Sequence, residues 1–382
     1  MTDFFSLQMS MQNINLAVGY HNISNFHHLN LAMTDSLTDA IYNVPAPFQG
    51  LDGFREAIAA KLQIANGITG ITADNVLVTQ GATQALFMIA EEFLAEGDEV
   101  LLPLPAWGYF RNLLRTKKVN LKELMTTPAR QYKITATELA ENLTTDTKML
   151  ILTQPGNPGG GIYTHAEWTE IAEVLEQYPD LIILADEVYE LLIFAENVPF
   201  YPASFFPSFN QRVITVNGFS KSYGLTSWRI AYLYTHNPGW IERLTERQKL
   251  MTYGLPVATQ RIAWTALQKE KLYAVIWQQH AAPRRRQLYD FFARQEHCEV
   301  YLPDGGYFIF VDLRKFCAVA GFTRSVQLPF YLIENYNLHI ADGDIFGLPF
   351  HYRINFVQSE AVLTDAVKRL EAAFEKLLEG RN

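Results

Sequence analysis

The chain is poor in cysteine. Cys298 and Cys317 are the only two in 382 residues, and neither belongs to a Cys-x-x-Cys or mixed Cys/His spacing. That argues against a disulfide framework and against a zinc site, so no metal is expected. No apolar run reaches the ~20 residues needed to cross a bilayer, so no membrane partner is expected. The start, Met1-Thr2-Asp3-Phe4-Phe5-Ser6, lacks the basic region and apolar core of a secretory signal. Long basic runs are missing too. Lys plus Arg is 31 against 40 for Asp plus Glu, a net charge of −9, which disfavours nucleic acid as a partner. There is no internal repeat and no low-complexity tract. These absences together predict a soluble, cytoplasmic protein.

What is present is core material. Hydrophobic residues make up 49% and aromatics 13%, while the charged fraction is 19%, low enough to suggest a surface partly covered by a second subunit. The length fits two or three domains at ~150 residues each. Residues 1–44 show little periodicity; Ile14-Asn15-Leu16-Ala17-Val18 is a short apolar run stopped by Gly19. Pro45, Pro47 and Gly50 mark a turn, after which apolar residues recur at helical spacing from Leu51 to Leu62. From there short β-branched runs alternate with helical patterns. The runs are Val76–Val78, Val100–Leu102, Met149–Leu152, Leu181–Leu184 and Val213–Val216. Near-continuous apolar runs separated by amphipathic helices predict an α/β fold with a mainly parallel sheet covered on both faces. Beyond about residue 271 the pattern changes to a charged helix containing Arg284-Arg285-Arg286, strand-like Tyr307–Asp312 and Tyr352–Phe356, and a closing helix over 359–378. The triple arginine reads as a solvated helix face. The predicted organisation is an N-terminal segment (1–44) packed with a small α+β domain (276–382), and a large domain between them (45–275).

In parallel sheets ligands bind beyond the carboxyl ends of the strands, and those ends carry the chemistry here. Thr79-Gln80-Gly81-Ala82-Thr83 runs straight into a helix, so small residues and free N–H groups meet where a phosphate could sit. Next comes Trp107, in Pro105-Ala106-Trp107-Gly108, able to stack on a flat ring. Gln154-Pro155-Gly156-Asn157-Pro158-Gly159-Gly160-Gly161 is a stiff turn holding an asparagine amide, and lacks the G-x-G-x-x-G dinucleotide spacing. Asp186 ends a buried run, where a carboxylate needs a cation or donors, and Tyr189 follows three residues on. The last end is Gly218-Phe219-Ser220-Lys221, with Arg229 beyond. Each piece alone has an ordinary structural account: a turn, core filler, a helix cap or a solvated lysine. Their succession along one sheet does not. Phosphate cradle, stacking ring, amide donor, carboxylate, phenol and lysine together suit one small molecule, pyridoxal 5′-phosphate.

At this point the chain resembles the fold-type I pyridoxal-phosphate aminotransferases of the aspartate aminotransferase superfamily (class I/II). The resemblance runs from about Gly19 to Ser359 and is most specific at Ser220-Lys221-x7-Arg229. It implies a seven-stranded-type sheet between helices in the large domain, a smaller α+β domain, and a homodimer with active sites at the subunit interface. It also implies roles. Lys221 would hold the cofactor as a Schiff base and later move the proton. Ala82, Thr83, Ser220 and Arg229 would hold the phosphate, and Trp107 would stack on the ring. Asp186 would pair with the ring nitrogen, and Asn157 and Tyr189 with the ring oxygen. Arg353 would bind the substrate α-carboxylate, with Gly19 beside it. The chain departs from the family pattern at three places. Pro45 stands where many relatives have a tyrosine reaching the partner's phosphate, with Tyr42 nearby. Gly218 replaces a serine of some relatives, and Gly159 a threonine of many.

The implied activity is transfer of an amino group between an L-amino acid and a 2-oxo acid in ping-pong half-reactions. Two alternatives use the same residues or the same fold: a lyase, cyclase or synthase starting with loss of the α-proton, and a non-catalytic sensor module. No second arginine for a dicarboxylate side chain can be read from the sequence.

Overall fold

The computed structural model describes residues 13–20, 29, 44–194 and 199–379. Tyr42 lies outside them. The strands, numbered along the chain, begin with a short β1 (Ile14–Asn15). They continue with β2 (Val76–Thr79), β3 (Glu99–Leu104), β4 (Asn120–Met125), β5 (Thr147–Thr153), β6 (Ile182–Asp186), β7 (Val213–Gly218) and β8 (Ala231–Tyr234). Strands β2 to β8 form a seven-stranded sheet in the order β2-β8-β7-β6-β5-β3-β4, the mainly parallel sheet expected.

The apolar runs are continuous because the sheet is buried on both sides. Side chains alternate along each strand, so Val100, Leu102, Met149 and Ile151 pack with the helix Gly81–Phe93. Leu101, Leu150, Leu152 and Ile183 pack on the opposite face with the helix His165–Leu175. That helix starts on a reciprocal cap, in which the Thr164 hydroxyl accepts from Glu167 N–H and the Glu167 carboxylate accepts from Thr164 N–H. Two strands of this sheet escaped the sequence reading. β4 is a half-exposed edge strand of mixed polar and apolar residues, and β8 is short and begins two residues after Arg229.

β8 has a special part in the architecture. It runs antiparallel to both β2 and β7, pairing Thr79 with Ala231 and Gly218 with Ala231. Its beginning therefore lies at the carboxyl edge of the sheet. Arg229, two residues before it, is delivered to the same edge as the ends of β2, β3, β5, β6 and β7.

The second sheet is antiparallel: β12 (Ala341–Asp342), β13 (His351–Asn355), β10 (Phe308–Asp312) and β9 (Glu299–Val300), in that order. β1 pairs in parallel with β11 (Leu338–His339), Ile14 opposite Leu338, which attaches the N-terminal segment to this part of the molecule. The long helix Glu270–Ala293 contains the three arginines. Arg286 is exposed, as a solvated face requires. Arg285 is not: it donates to Pro303 O at 2.7 Å and covers the Phe194 ring. Cys298 and Cys317 are free thiols, and no helix among the described residues is long and apolar enough to cross a membrane.

Candidate active site

Every residue singled out from the sequence lines one cavity of about 310 Å³: Gly19, Ala82, Thr83, Trp107, Asn157, Asp186, Tyr189, Ser220, Lys221, Arg229 and Arg353. Sequence reasoning missed Tyr20, Val188, Thr226 and Ala231, which line it too. Thr226 carries a readable signal, a hydroxyl residue between Lys221 and Arg229. Tyr20 and Val188 carry none.

Lys221 sits in a single helical turn, Phe219–Ser222, directly after β7. Its backbone is braced from outside the sheet: Trp277 Nε1–H donates to Ser222 O at 2.7 Å, and the Tyr307 hydroxyl donates to Lys221 O. The ammonium donates to Gly19 O. Burial, with the nearby Arg353 and Arg229 charges adding to it, lowers the Lys221 pKa to about 8, partly opposed by Asp186. A substantial neutral fraction near physiological pH makes it a usable base and nucleophile.

Asp186 is the last residue of β6 and 4% exposed. It accepts a long hydrogen bond from Val188 N–H at 3.4 Å. Burial raises its pKa to about 7, against the opposing pull of that N–H and of Lys221. A carboxylate so poorly met by donors suits a ligand that brings a cation.

The phosphate end is built from β2 and β8. Arg229 adopts a left-handed backbone (φ 52°), a conformation costing a non-glycine residue roughly 1–2 kcal/mol. Its guanidinium donates to Thr83 Oγ1 at 3.3 Å and Thr226 O at 3.1 Å. Gly81 opens the helix with φ 76°, and a Cβ there would lie 2.5 Å from Arg229 Nη2. Gly81→Ala should therefore displace the arginine. A lost charge-assisted hydrogen bond of about 1.5–3 kcal/mol predicts a roughly 10- to 100-fold weaker cofactor dissociation constant, read by titrating the apoprotein; an unchanged constant would refute the assignment of Arg229.

Trp107 stacks on Tyr109 with ring centroids 4.8 Å apart, and the Tyr109 hydroxyl donates to Thr83 O at 3.1 Å. Stacking ring and phosphate cradle are thus joined. Arg353 comes from β13. It donates to Asn157 Oδ1 at 3.0 Å and Ala17 O at 2.7 Å, between the rings of Phe308 (4.1 Å) and Phe346 (4.6 Å). Burial lowers its pKa to about 10, and its Nε is buried with no partner among the described residues. A planar cation with a spare buried N–H fits a carboxylate.

Pyridoxal phosphate has an anionic phosphate, a basic ring nitrogen, a ring oxygen and an aldehyde. Arg229 with the Gly81–Thr83 turn, under-partnered Asp186, Asn157 with Tyr189, and part-neutral Lys221 fit these groups. The sheet and this donor set are those of an α/β enzyme built on that cofactor. The chain belongs to the aminotransferase class I and II family, whose model matches residues 12–370. It is accordingly a pyridoxal-phosphate-dependent aminotransferase, acting on amino acids and 2-oxo acids. Among relatives, it is 31% identical over 336 residues to the bifunctional aspartate aminotransferase and glutamate/aspartate-prephenate aminotransferase of Petunia hybrida, covering 86% of this chain and 69% of that one. It is 27% identical over 354 residues to an aspartate aminotransferase of Rhizobium meliloti, covering 89% and 84%. The crystal structure of the aspartate aminotransferase from Rhizobium meliloti superposes with a TM-score of 0.89 at 25% identity, covering 95% of this chain and 91% of that one. The aromatic aminotransferase from Pyrococcus horikoshii OT3 superposes with a TM-score of 0.88 at 26% identity, covering 97% and 98%.

Proposed function

We propose that the enzyme moves an amino group between an L-amino acid and a 2-oxo acid in two half-reactions at this cavity, with Lys221 as the covalent attachment point and proton carrier. The carrying observation is the convergence of Lys221, Asp186 and Arg353 on one space, each with its charge balance shifted by burial. When bound, pyridoxal phosphate supplies an aldehyde for an amine and a ring that takes up the electrons left when an α-proton departs. Arg353 holds the substrate carboxylate and so fixes which way the α-carbon faces. The Lys221 amine, once free and neutral, takes the α-proton at Nζ and gives it back on the other side of the same transfer. Asp186 would pair, ionised, with the ring nitrogen and keep it protonated. Asn157 joins the two ends of the site, since its Oδ1 already holds the Arg353 guanidinium. Arg229, Thr83 and Ser220 would anchor the phosphate, and Trp107 would stack on the ring and exclude water there.

The finer organisation belongs to the same proposal: a large domain over 45–275, a small one over 276–382 with the N-terminal segment 1–44, a cytoplasmic location, and a homodimer. Dimerisation is supported by apolar side chains left exposed at one place. Leu250, Met251 and Tyr253 end the helix Pro238–Met251 and the turn after it, with Tyr253 edge-on to Phe48 at 5.2 Å.

The relatives are named for aspartate, prephenate and aromatic substrates, so the test is a panel of acidic and aromatic amino acids with 2-oxo acid acceptors, read by mass spectrometry. New amino acid and new 2-oxo acid should appear one for one. Ammonia with pyruvate would instead identify a lyase, and no conversion at all would leave the sensor reading.

A further inference from the structure

The N-terminal strap, residues 16–20, crosses the cavity in a regular alternation. Leu16 O accepts from Asn355 N–H at 2.8 Å, and Val18 O and Tyr20 O each accept from Asn355 Nδ2 at 2.8 Å. The intervening carbonyls go the other way: Ala17 O accepts from Arg353 Nη2 at 2.7 Å, and Gly19 O accepts from the Lys221 ammonium. The start of the strap is tied to β11, where Leu16 N–H donates to His339 O at 2.8 Å; beyond it Asn355 takes the alternate carbonyls, and the intervening ones face the two cations on which the chemistry depends.

We propose that Asn355 is a positioning residue for the substrate, one that sets the register of this strap and through it the orientation of Arg353; the idea rests on the assignment of Arg353 to the substrate carboxylate. Asn355 and Arg353 are two apart on β13 and so project to the same face. β12 ends opposite Arg353 and Tyr352, and the strap takes up the Asn355 backbone N–H beyond it. The Asn355 side chain is 0% exposed and fully satisfied. Both Nδ2 hydrogens go to strap carbonyls, and Oδ1 accepts from Val357 N–H at 2.7 Å. Among side chains of this size only a primary amide offers two hydrogens and an acceptor together. Aspartate would turn lone pairs toward the carbonyls of Val18 and Tyr20, serine could hold one of them, and leucine neither. Because side chains and carbonyls alternate along an extended segment, a slip of one residue would turn the wrong carbonyls to the cations. Arg353 would then lose the acceptor that fixes its guanidinium within the gap between Phe308 and Phe346.

The test compares holoenzyme of the parent with Asn355→Asp, Asn355→Leu and Asn355→Ser. Steady-state kinetics use an accepted amino acid. Calorimetry uses succinate and 3-phenylpropanoate, carboxylates with no amino group to react. The expected result is a KM and carboxylate dissociation constant raised roughly 10- to 100-fold for Asp and Leu, and less for Ser. kcat should fall far less than KM rises, with cofactor content near the parent's. Constants within about twofold of the parent overturn the proposal. So does a fall of kcat and cofactor content in parallel with the rise of KM, which marks a merely structural asparagine. If the parent binds the carboxylates but converts no amino acid, the aminotransferase reading has failed instead, and the calorimetric comparison still decides the role of Asn355.

Discussion

Lys221→Ala should lose both the absorbance band of lysine-bound cofactor and turnover, the latter by about 10⁴-fold or more, because attachment and proton transfer depend on the same amine. No other lysine among the described residues lines the cavity. The variant should still bind the cofactor non-covalently, because Arg229, Thr83, Asp186 and Trp107 lie on other segments of the chain. Retention of the band together with turnover would move the chemistry to another amine. The parent apoprotein gives a second readout. Only the neutral amine attacks an aldehyde, so covalent capture of added cofactor should accelerate as pH rises and level off above about 8, where burial and the neighbouring arginines place the Lys221 pKa. A lysine at the ordinary 10.5 would show no plateau there.

Asp186→Asn should separate function from stability. Removing one partner of a buried charge pair costs about 3–5 kcal/mol, which at 1.36 kcal/mol per decade predicts a turnover loss of roughly 10²- to 10⁴-fold. In the apoprotein the sign reverses. The folded pKa of Asp186, about 7, lies above the ordinary 3.8, so the folded form binds this proton more tightly than the unfolded chain. Its stability therefore falls as pH rises from about 4 to 7, and the cost of the ionised carboxylate is complete above that. Asparagine has no such cost. The apo variant should unfold about 2 °C or more above the apo parent at pH 8, and the gap should close toward pH 4. A gap that stayed constant with pH, or one of opposite sign, would show that Asp186 has another buried partner.

The parts of this molecule that could be read from the sequence are those in which local pattern and final environment agree. Val76–Val78 or Met149–Leu152 reads as a strand because both faces are buried, leaving no polar alternation. β4 could not be read the same way: Asn120-Leu121-Lys122-Glu123-Leu124-Met125 is an edge strand in which polar Asn120 and Glu123 and apolar Met125 are all exposed, so no apolar pattern marks it. The cofactor side was legible because nearly all of its groups lie within a few residues of where a strand of one sheet ends, so a single stretch of sequence carries both the strand and its chemistry. The substrate side does not have that property. Asn157 and Arg353 meet across 196 residues of sequence. Asn355 reads as one more residue of an apolar strand, since neither Val18 O nor Tyr20 O leaves a trace in residue identity. Phe308 and Phe346 are core, yet each also presents a ring face to Arg353. A backbone acceptor has no letter in the sequence.

The antiparallel course of β8 has a consequence for how this site can be altered. It returns Arg229 to the edge that carries Gly81 and Lys221, so the groups assigned to the cofactor all lie between residues 81 and 229. The strap and β13, which present Gly19, Tyr20 and Arg353, belong to stretches outside that interval. Recombination at the flanks of the interval would exchange one inventory without rewriting the other. A chimera that keeps residues 81–229 and borrows its remaining segments from a relative would keep this chain's grip on the coenzyme, with Asn157 as the one residue of the interval that must still meet the donor's arginine.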